Sequence, residues 1–320
     1  MKSNSHKYFN EVVNNAISFI ERAISELTEK NINEADQLKY STIHLYEGIE
    51  LLLKAILIDE HWTLLFSNID KCTPQKYENG DFHSVGYDDT VKRIENCCSV
   101  IIERKTKESI DSLRKIRNRY IHFHCGLSKA AILNIQYKTW HYLFLLMKGL
   151  NDVFNEEIIK RFQDLEDKML ENEEFIESRF EEVKPELKSI KQKGNIVYYC
   201  PWCERESIYF DEDNATWNCL VCAREYRPGD LADYIYQIEY HPKHNPEFQL
   251  GVCADCGEET VVPIINMGVD EEDEYICLDC AITWEFSERS VCSRCGREYY
   301  GEEFETGICS DCFEYIIENN

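Results

Sequence analysis

The chain has 320 residues and a formal net charge of −25, with 35 Lys and Arg against 60 Asp and Glu. This length allows about two domains with small additional modules. No stretch approaches the roughly 18 apolar residues that a membrane helix needs, and residues 1–30 are polar rather than an apolar leader. The sequence therefore predicts a soluble, cytoplasmic protein that makes no contact with a membrane.

Residues 1–160 have the apolar periodicity of a helical bundle. The segment 34–59 is the most hydrophobic, so we expect it at the centre of the core. Residues 60–87 are rich in turn formers and predict a long loop with short helical pieces. The helices that the spacing predicts are 7–29, 34–59, 88–104, 106–124 and 128–161.

Residues 161–194 are dense in charge, with few apolar positions. This pattern predicts a solvent-exposed helical linker, with a break near Pro185, that ends at Gly194-Asn195. The fold class that we expect is mainly α: a helical bundle, a charged helical arm and three small modules built on β-hairpins.

The last third of the chain contains six Cys-x-x-Cys pairs. Taken in order they form three sets, with 15, 20 and 13 residues between the two pairs of each set. Two such pairs can supply the four thiolates of a tetrahedral metal site. The spacing therefore predicts zinc ribbons over 195–230, 248–285 and 288–320. The predicted metal ligands are Cys200, Cys203, Cys219, Cys222, Cys253, Cys256, Cys277, Cys280, Cys292, Cys295, Cys309 and Cys312.

Several arguments favour structural zinc at these sites. A chain in a reducing compartment uses its thiols for metals rather than for disulfides. Each ribbon has about 25–30 residues, too few for a self-sufficient core, so metal binding has to supply folding energy. Four protein ligands leave no open coordination position, so no catalytic metal is expected. Iron in a tetrathiolate site remains the alternative.

The ribbons are the most acidic part of the chain. From Asn195 onward there are 7 Lys and Arg against 28 Asp and Glu, whereas the preceding residues have 28 against 32. Such a surface repels phosphates, so we expect the ribbons to bind a protein partner or to be structural, rather than to read nucleic acid. The acidic run 270–274 is interpreted as a hairpin loop of the middle ribbon.

The opposite charge is concentrated in the segment 104–124. Between Arg104 and Arg119 there are seven basic residues against two acidic ones. Phosphate is the natural partner of such a segment, through charge-assisted hydrogen bonds.

One arginine of this segment lies in an unusual place. Arg117 falls in the apolar stripe of the predicted helix 106–124, where a charge is costly unless it meets a partner or a ligand. Asn118 and His122 are four residues apart and therefore share a face next to this stripe. The three side chains can converge on one small region. A second interpretation stays open: Arg117 pairs with Glu47 or Glu50, and His122 is a buried core histidine.

The motif Arg117-Asn118-x-x-x-His122 lies late in an all-helical region that follows the hydrophobic helix around residues 46–55. In this it resembles the HEPN superfamily over about residues 5–160. The resemblance implies a metal-independent endoribonuclease that acts as a homodimer, in which two copies of the motif form one cleft. It also implies RNA products with 2′,3′-cyclic phosphate ends, and a role in antiviral defence or in a toxin system.

The resemblance assigns a role to each residue of the motif. His122 would move protons at the RNA 2′-hydroxyl and the leaving oxygen, Arg117 would hold the scissile phosphate, and Asn118 would orient the phosphate or the histidine. Further RNA contacts along residues 104–124 are expected from Arg114, Arg119 and His124.

The sequence also allows a function without catalysis. In this alternative the helical domain is a dimeric adaptor, Arg117 and His122 are structural, and the zinc ribbons mediate protein–protein interaction.

Overall fold

A computed structural model describes residues 2–28, 34–268, 274–301, 304 and 306–318. The chain forms two compact units, Met1–Arg179 and Phe180–Asn320. The first is a helical bundle and the second contains small sheets, so the predicted fold class, mainly α followed by β-hairpin modules, is confirmed. Among the described helices, none is both long enough and apolar enough to span a membrane.

The helical unit is built around two long helices that pack side by side. Its helices are α1 (Lys2–Thr28), α2 (Glu34–Glu60), α3 (Pro74–Asn79), α4 (Tyr87–Cys97), α5 (Arg104–His122), α6 (Lys129–Lys148) and α7 (Glu156–Met169), and α8 (Glu173–Gln192) begins here. As predicted, α2 is central, because it packs against α1, α4, α5 and α6. Gly48 permits the close approach of α1, since a Cβ there would lie 2.5 Å from Ile20 Cγ1.

The loop that we predicted over 60–87 contains the short helical pieces that were expected. They are two 3₁₀ helices, Trp62–Leu65 and Ile69–Lys71, and the helix α3. Stacking of Phe66 on Phe82, with ring centroids 4.2 Å apart, gives the loop a small core of its own.

The structure differs from the predicted boundary at residue 160. The helix α7 packs on α1 and α6 and buries Phe162 and Met169, and Phe175 at the start of α8 is also buried. Apart from Glu166 and Arg179, the charged residues of 161–194 are exposed or half-buried, so the sparse apolar side chains of these helices suffice for packing. The helix α8 also continues through Pro185 without the predicted break.

A buried ion pair lies within the helical unit. Glu166 of α7 pairs with Arg179 of α8 and accepts a hydrogen bond of 2.6 Å from the indole nitrogen of Trp140. Both charged side chains are almost completely buried, and the Arg179 Nε and Nη2 atoms have no hydrogen-bond partner among the described residues. A buried pair of this kind is costly to break, because removal of one charge strands the other.

The ribbon unit contains three small sheets. Its elements are β1 (Val197–Tyr199), β2 (Glu206–Asp211), β3 (Thr216–Cys219), β4 (Glu225–Tyr226), α9 (Pro228–Glu239), β5 (Val252–Cys253), β6 (Val261–Pro263), β7 (Glu274–Cys277), β8 (Thr283–Glu285), β9 (Arg289–Val291), β10 (Glu298–Tyr300) and α10 (Ser310–Glu318). One antiparallel sheet has the order β1-β2-β3-β4 and another β6-β7-β8. Residues 270–273 of the predicted acidic hairpin loop lie outside the described residues.

The second and third ribbons are not separate modules. In the third sheet β10 pairs antiparallel with β9 and parallel with β5, which belongs to the predicted second ribbon. The ring of Tyr300 also packs against Gly251, where a Cβ would lie 2.3 Å from Tyr300 Cε2. The boundary that we expected between residues 285 and 288 is therefore crossed by a shared sheet.

Candidate metal centres and the Arg117 site

The twelve predicted cysteines form three compact groups. Within each group all four Sγ atoms lie within 4.8 Å of one another. The Sγ–Sγ distances include 3.7 Å for Cys200–Cys222 and 3.5 Å for Cys256–Cys277. Four sulfurs about 2.3 Å from a central ion would be about 3.8 Å apart, so the groups have the dimensions of tetrathiolate metal sites. We name them site 1 (200, 203, 219 and 222), site 2 (253, 256, 277 and 280) and site 3 (292, 295, 309 and 312).

A recurring backbone turn builds the sites. After the second cysteine of most pairs comes a residue with positive φ, such as Ala223 at 52° and Gly257 at 78°. This left-handed residue reverses the chain so that both thiols of a pair face the same point. In site 1, Ser207 Oγ lies 3.1 Å from Cys219 Sγ, and the Cys222 amide donates to the same sulfur at 3.3 Å. Such donors stabilise a thiolate ligand.

The three sites differ in exposure. All four cysteines of site 1 are buried, whereas Cys256 of site 2 and Cys295 of site 3 are exposed. Each site offers four thiols as ligands, so a bound ion with tetrahedral coordination would have no position left for a substrate. This donor set is typical of structural metal sites.

Arg117 lies on the buried side of α5, next to α2. Its Nε donates to Glu47 Oε1 at 3.1 Å, its Nη2 binds the same oxygen, and its Nη1 donates to Asn118 Oδ1 at 3.0 Å. The guanidinium also lies over the ring of Tyr46, 5.1 Å from the centroid. The Arg117 side chain is nevertheless 24% exposed. The predicted pairing with a carboxylate of α2 is thus present, and the arginine keeps a face open to solvent.

The carboxylate is Glu47 rather than Glu50, which instead binds Lys54 at 2.6 Å. Tyr46 was missed by the sequence analysis, although it precedes Glu47 in the chain. Burial, together with the negative charge of Glu50, raises the pKa of the Tyr46 hydroxyl, which therefore stays protonated.

The other residues of the motif are at the open end of α5. Asn118 is exposed, and so is His122, the last residue of the helix. His122 is therefore not a core histidine, and its side chain has no hydrogen-bond partner in the part of the chain that the structure describes. A buried histidine of the unit is His141 on α6. Arg119 and His124 are exposed beside the motif.

Much of the basic segment is already paired. Arg114 binds Asp88 at 3.1 Å and Asp111 at 2.7 Å, and its guanidinium covers the ring of Tyr87. The other ion pairs include Lys107–Glu95, Lys115–Asp111 and Arg104–Glu108. Exposed pairs of this kind contribute about 0–1 kcal/mol and can open for a ligand. Of the predicted RNA contacts, Arg114 is therefore the least available, whereas Arg119 has no carboxylate partner among the described residues.

Exposed apolar side chains lie close to His122 in the sequence. Ile121 is 45% exposed, Phe123 90% and Leu127 36%.

Comparisons of the chain with protein-family models, with curated proteins and with solved structures give no match.

Proposed function

We propose that the helical unit is a metal-independent endoribonuclease of the HEPN type, which acts as a homodimer on cytoplasmic RNA in antiviral defence or in a toxin system. The position of Arg117 supports this most directly. Its guanidinium is oriented by Glu47 and Asn118 and is still partly exposed, and the exposed His122 lies further along the same helix. These are the residue types that a phosphodiester cleavage requires.

The hydrogen bonds of Arg117 suggest how it would act. A guanidinium has five N–H donors, and three of those of Arg117 already bind Glu47 and Asn118. Two remain for the non-bridging oxygens of a scissile phosphate, where they would stabilise the charge that builds up in the transition state. Arg119 and His124 would contact the neighbouring phosphates.

His122 would carry the proton transfers. The 2′-oxygen attacks phosphorus as an imidazole takes its proton, and a 2′,3′-cyclic phosphate forms. The bond from phosphorus to the 5′-oxygen breaks, and an imidazolium gives a proton to that oxygen, which leaves as a 5′-hydroxyl. Imidazole can serve in both steps because it titrates near neutral pH.

A dimer would place two histidines at one cleft. Ile121 and Phe123 flank His122 and are exposed, and large apolar side chains of this kind are typical of association surfaces. A second copy that packs on them would bring its own motif next to the first. We also propose that sites 1, 2 and 3 hold zinc and that the ribbons bind or regulate through a protein partner.

The contacts of Arg117 are also compatible with the adaptor alternative. The pairing of Arg117 with Glu47 and its stacking on Tyr46 would have the same geometry if the arginine served only to join α5 to α2. In that case the helical unit dimerises without catalysis and the ribbons recruit the partner.

The two functions differ in RNA cleavage. We would incubate RNA with wild type, His122→Ala and Arg117→Lys in buffer with EDTA, and Lys92→Ala, at an exposed lysine of α4 outside the basic segment 104–124, is the matched control. The enzyme predicts a loss of about 100-fold or more in the first two variants and little change in the control, with cyclic phosphate ends on the products. Equal behaviour of all four proteins, in samples with unchanged helix content, supports the adaptor.

A further inference from the structure

An open apolar groove lies in the ribbon unit, between α9 and the 3₁₀ helix Ile264–Met267. Its volume is about 420 Å³, and it is lined by Pro201, Ile235, Ile238, Glu239, Ile265 and Asn266. Ile235 is buried and forms part of the floor, whereas Ile238 is 53% exposed and Ile265 48% exposed. Two large aliphatic side chains, one on each side of the groove, are thus about half exposed to solvent, which is typical of an interaction site.

Contacts within the ribbon unit fix the two sides of the groove. The buried indole nitrogen of Trp217 on β3 donates to the Leu278 carbonyl oxygen at 2.8 Å. Gly268 ends the 3₁₀ helix with a φ of 77°, and the ring of Tyr199 occupies the space where its Cβ would be, 2.4 Å away. The segment with site 1 is therefore packed directly against the segment with site 2. The groove is preformed, so binding of a ligand costs the protein little conformational entropy.

A carboxylate in the groove wall and the acidic composition of the ribbon segment favour a basic occupant. Glu239 lies in the wall of the groove, one turn from Ile235 on α9. The chain from Asn195 onward has 28 acidic residues against 7 basic ones. An acidic or neutral apolar segment would meet like charge or unpaired carboxylates here, whereas Lys and Arg at the edges of an apolar stripe would be attracted.

Other helices of the same chain do not fit. The helix α10 exposes Phe313 and Ile317, yet it also carries Asp311, Glu314 and Glu318 and would be repelled. The basic helix α5 has buried its apolar face within the helical unit. Neither of these two helices fits, so the occupant that we consider is a segment of a different protein.

We propose that this groove binds an amphipathic, basic helix of a partner protein. Apolar side chains of the helix, three or four residues apart, would fill the space between Ile238 and Ile265, and a Lys or Arg would pair with Glu239. The proposal rests on the part of the proposed function that gives the ribbons a protein partner, and it does not depend on RNA cleavage.

The test uses the full chain with its metal sites loaded and a fluorescent helical peptide of Leu and Lys whose leucines form one stripe. Fluorescence anisotropy would measure binding by wild type, Ile238→Asp, Ile265→Asp and Glu239→Lys. Each variant is expected to weaken binding, the two isoleucine variants by about tenfold or more. Ile317→Asp on α10 changes an isoleucine that is 62% exposed and does not line the groove, and this variant should bind the peptide as wild type does.

A second peptide of the same composition, with its leucines scattered around the helix, tests whether the stripe is recognised. Equal binding of both peptides, or binding that Ile238→Asp and Ile265→Asp leave unchanged, overturns the proposal. Self-association of the wild type that Ile238→Asp abolishes assigns the groove to a second copy and overturns it as well. Circular dichroism and metal content check that the variants fold, which exposed positions should permit. Because no RNA is present, a failure of the nuclease proposal leaves this result unaffected.

Discussion

The helical unit and the ribbon unit keep their folds by different means. The core of the helical unit consists of large apolar side chains from many helices, among them Trp140, Phe162 and Leu45. In the ribbon unit the cysteines are part of the core itself. Cys292 and Cys309 pack with Val252 and Tyr299 in one cluster, and Cys253 and Cys277 pack with Val261 and Tyr300 in another. The candidate metal ligands of the ribbon unit therefore belong to its core.

The largest expected effect follows from this difference. Removal of the metal with a mercurial and a chelator should unfold β1 to β10, because a structural tetrathiolate site contributes on the order of 10 kcal/mol. The helical unit has no cysteine of these sites, so most of the helical circular dichroism signal should remain. Limited proteolysis would show a resistant fragment that ends near Arg179, the boundary of the first unit.

Loss of both units in a single transition would contradict this prediction.

Stepwise addition of the mercurial also distinguishes the three metal sites. Cys256 and Cys295 are exposed to the reagent, whereas site 1 is wholly buried, so sites 2 and 3 should release their metal before site 1. Mass spectrometry of the partly treated protein would identify the order in which cysteines are modified.

The sequence predicts local features of both units well. The spacing of the Cys-x-x-Cys pairs is sufficient to predict which cysteines come together in the three groups. Each pair forms a short turn, and each group joins two pairs that are neighbours in the sequence. Apolar periodicity predicts where most helices begin for the same reason, because the pattern within one segment is enough. It does not predict every end: the expected helix 128–161 is interrupted between the end of α6 at Lys148 and the start of α7 at Glu156. For Arg117, the position in an apolar stripe predicts a partner on α2, and only the choice between Glu47 and Glu50 needs the structure.

What the sequence does not predict depends on distant residues. The parallel pairing of β5 with β10 joins strands more than forty residues apart and has no local signal. Glu166 and Arg179 lie in a charged segment and look like surface residues, yet packing of α7 and α8 encloses both. The acidic partners of the basic segment 104–124, such as Asp88 and Glu95, likewise come from α4.

The second largest effect is expected in the helical unit alone. Glu166→Ala leaves the Arg179 charge buried without its partner and removes the acceptor of the Trp140 hydrogen bond. We expect a loss of about 3–5 kcal/mol in the free energy of unfolding of this unit, measured by urea titration at 222 nm. Asp164→Ala is the matched control, an exposed acid on the same helix. The metal content of the ribbons should not change in either variant.

A double variant sharpens this test. Replacement of both charges, as Glu166→Leu with Arg179→Met, should recover much of the stability that Glu166→Ala loses, because apolar side chains of similar volume can replace a buried ion pair. A double variant as unstable as the single one would show that packing, rather than the stranded charge, is responsible.

The smallest effect concerns the pH dependence of the helical unit. His141 is buried on α6, and its Nδ1 has no hydrogen-bond partner among the described residues. Burial, and then the positive charges of Arg179, Lys105 and Lys138, hold the pKa of His141 well below its usual value of about 6.5. The folded protein therefore keeps this imidazole neutral, whereas the unfolded chain takes up a proton as the pH falls below about 6.5.

The sign of the effect follows from this difference. Since the unfolded state binds more protons, the stability of the helical unit should fall as the pH decreases below about 6.5, with a contribution from His141 of up to about 1.4 kcal/mol per pH unit. His141→Gln should remove that contribution. Urea titrations of both proteins between pH 7 and pH 5.5 measure it as a difference between two slopes, and proton competition at the metal sites cancels because both proteins share it. Identical slopes would mean that His141 is protonated within the fold, where its Nδ1 would then need an acceptor.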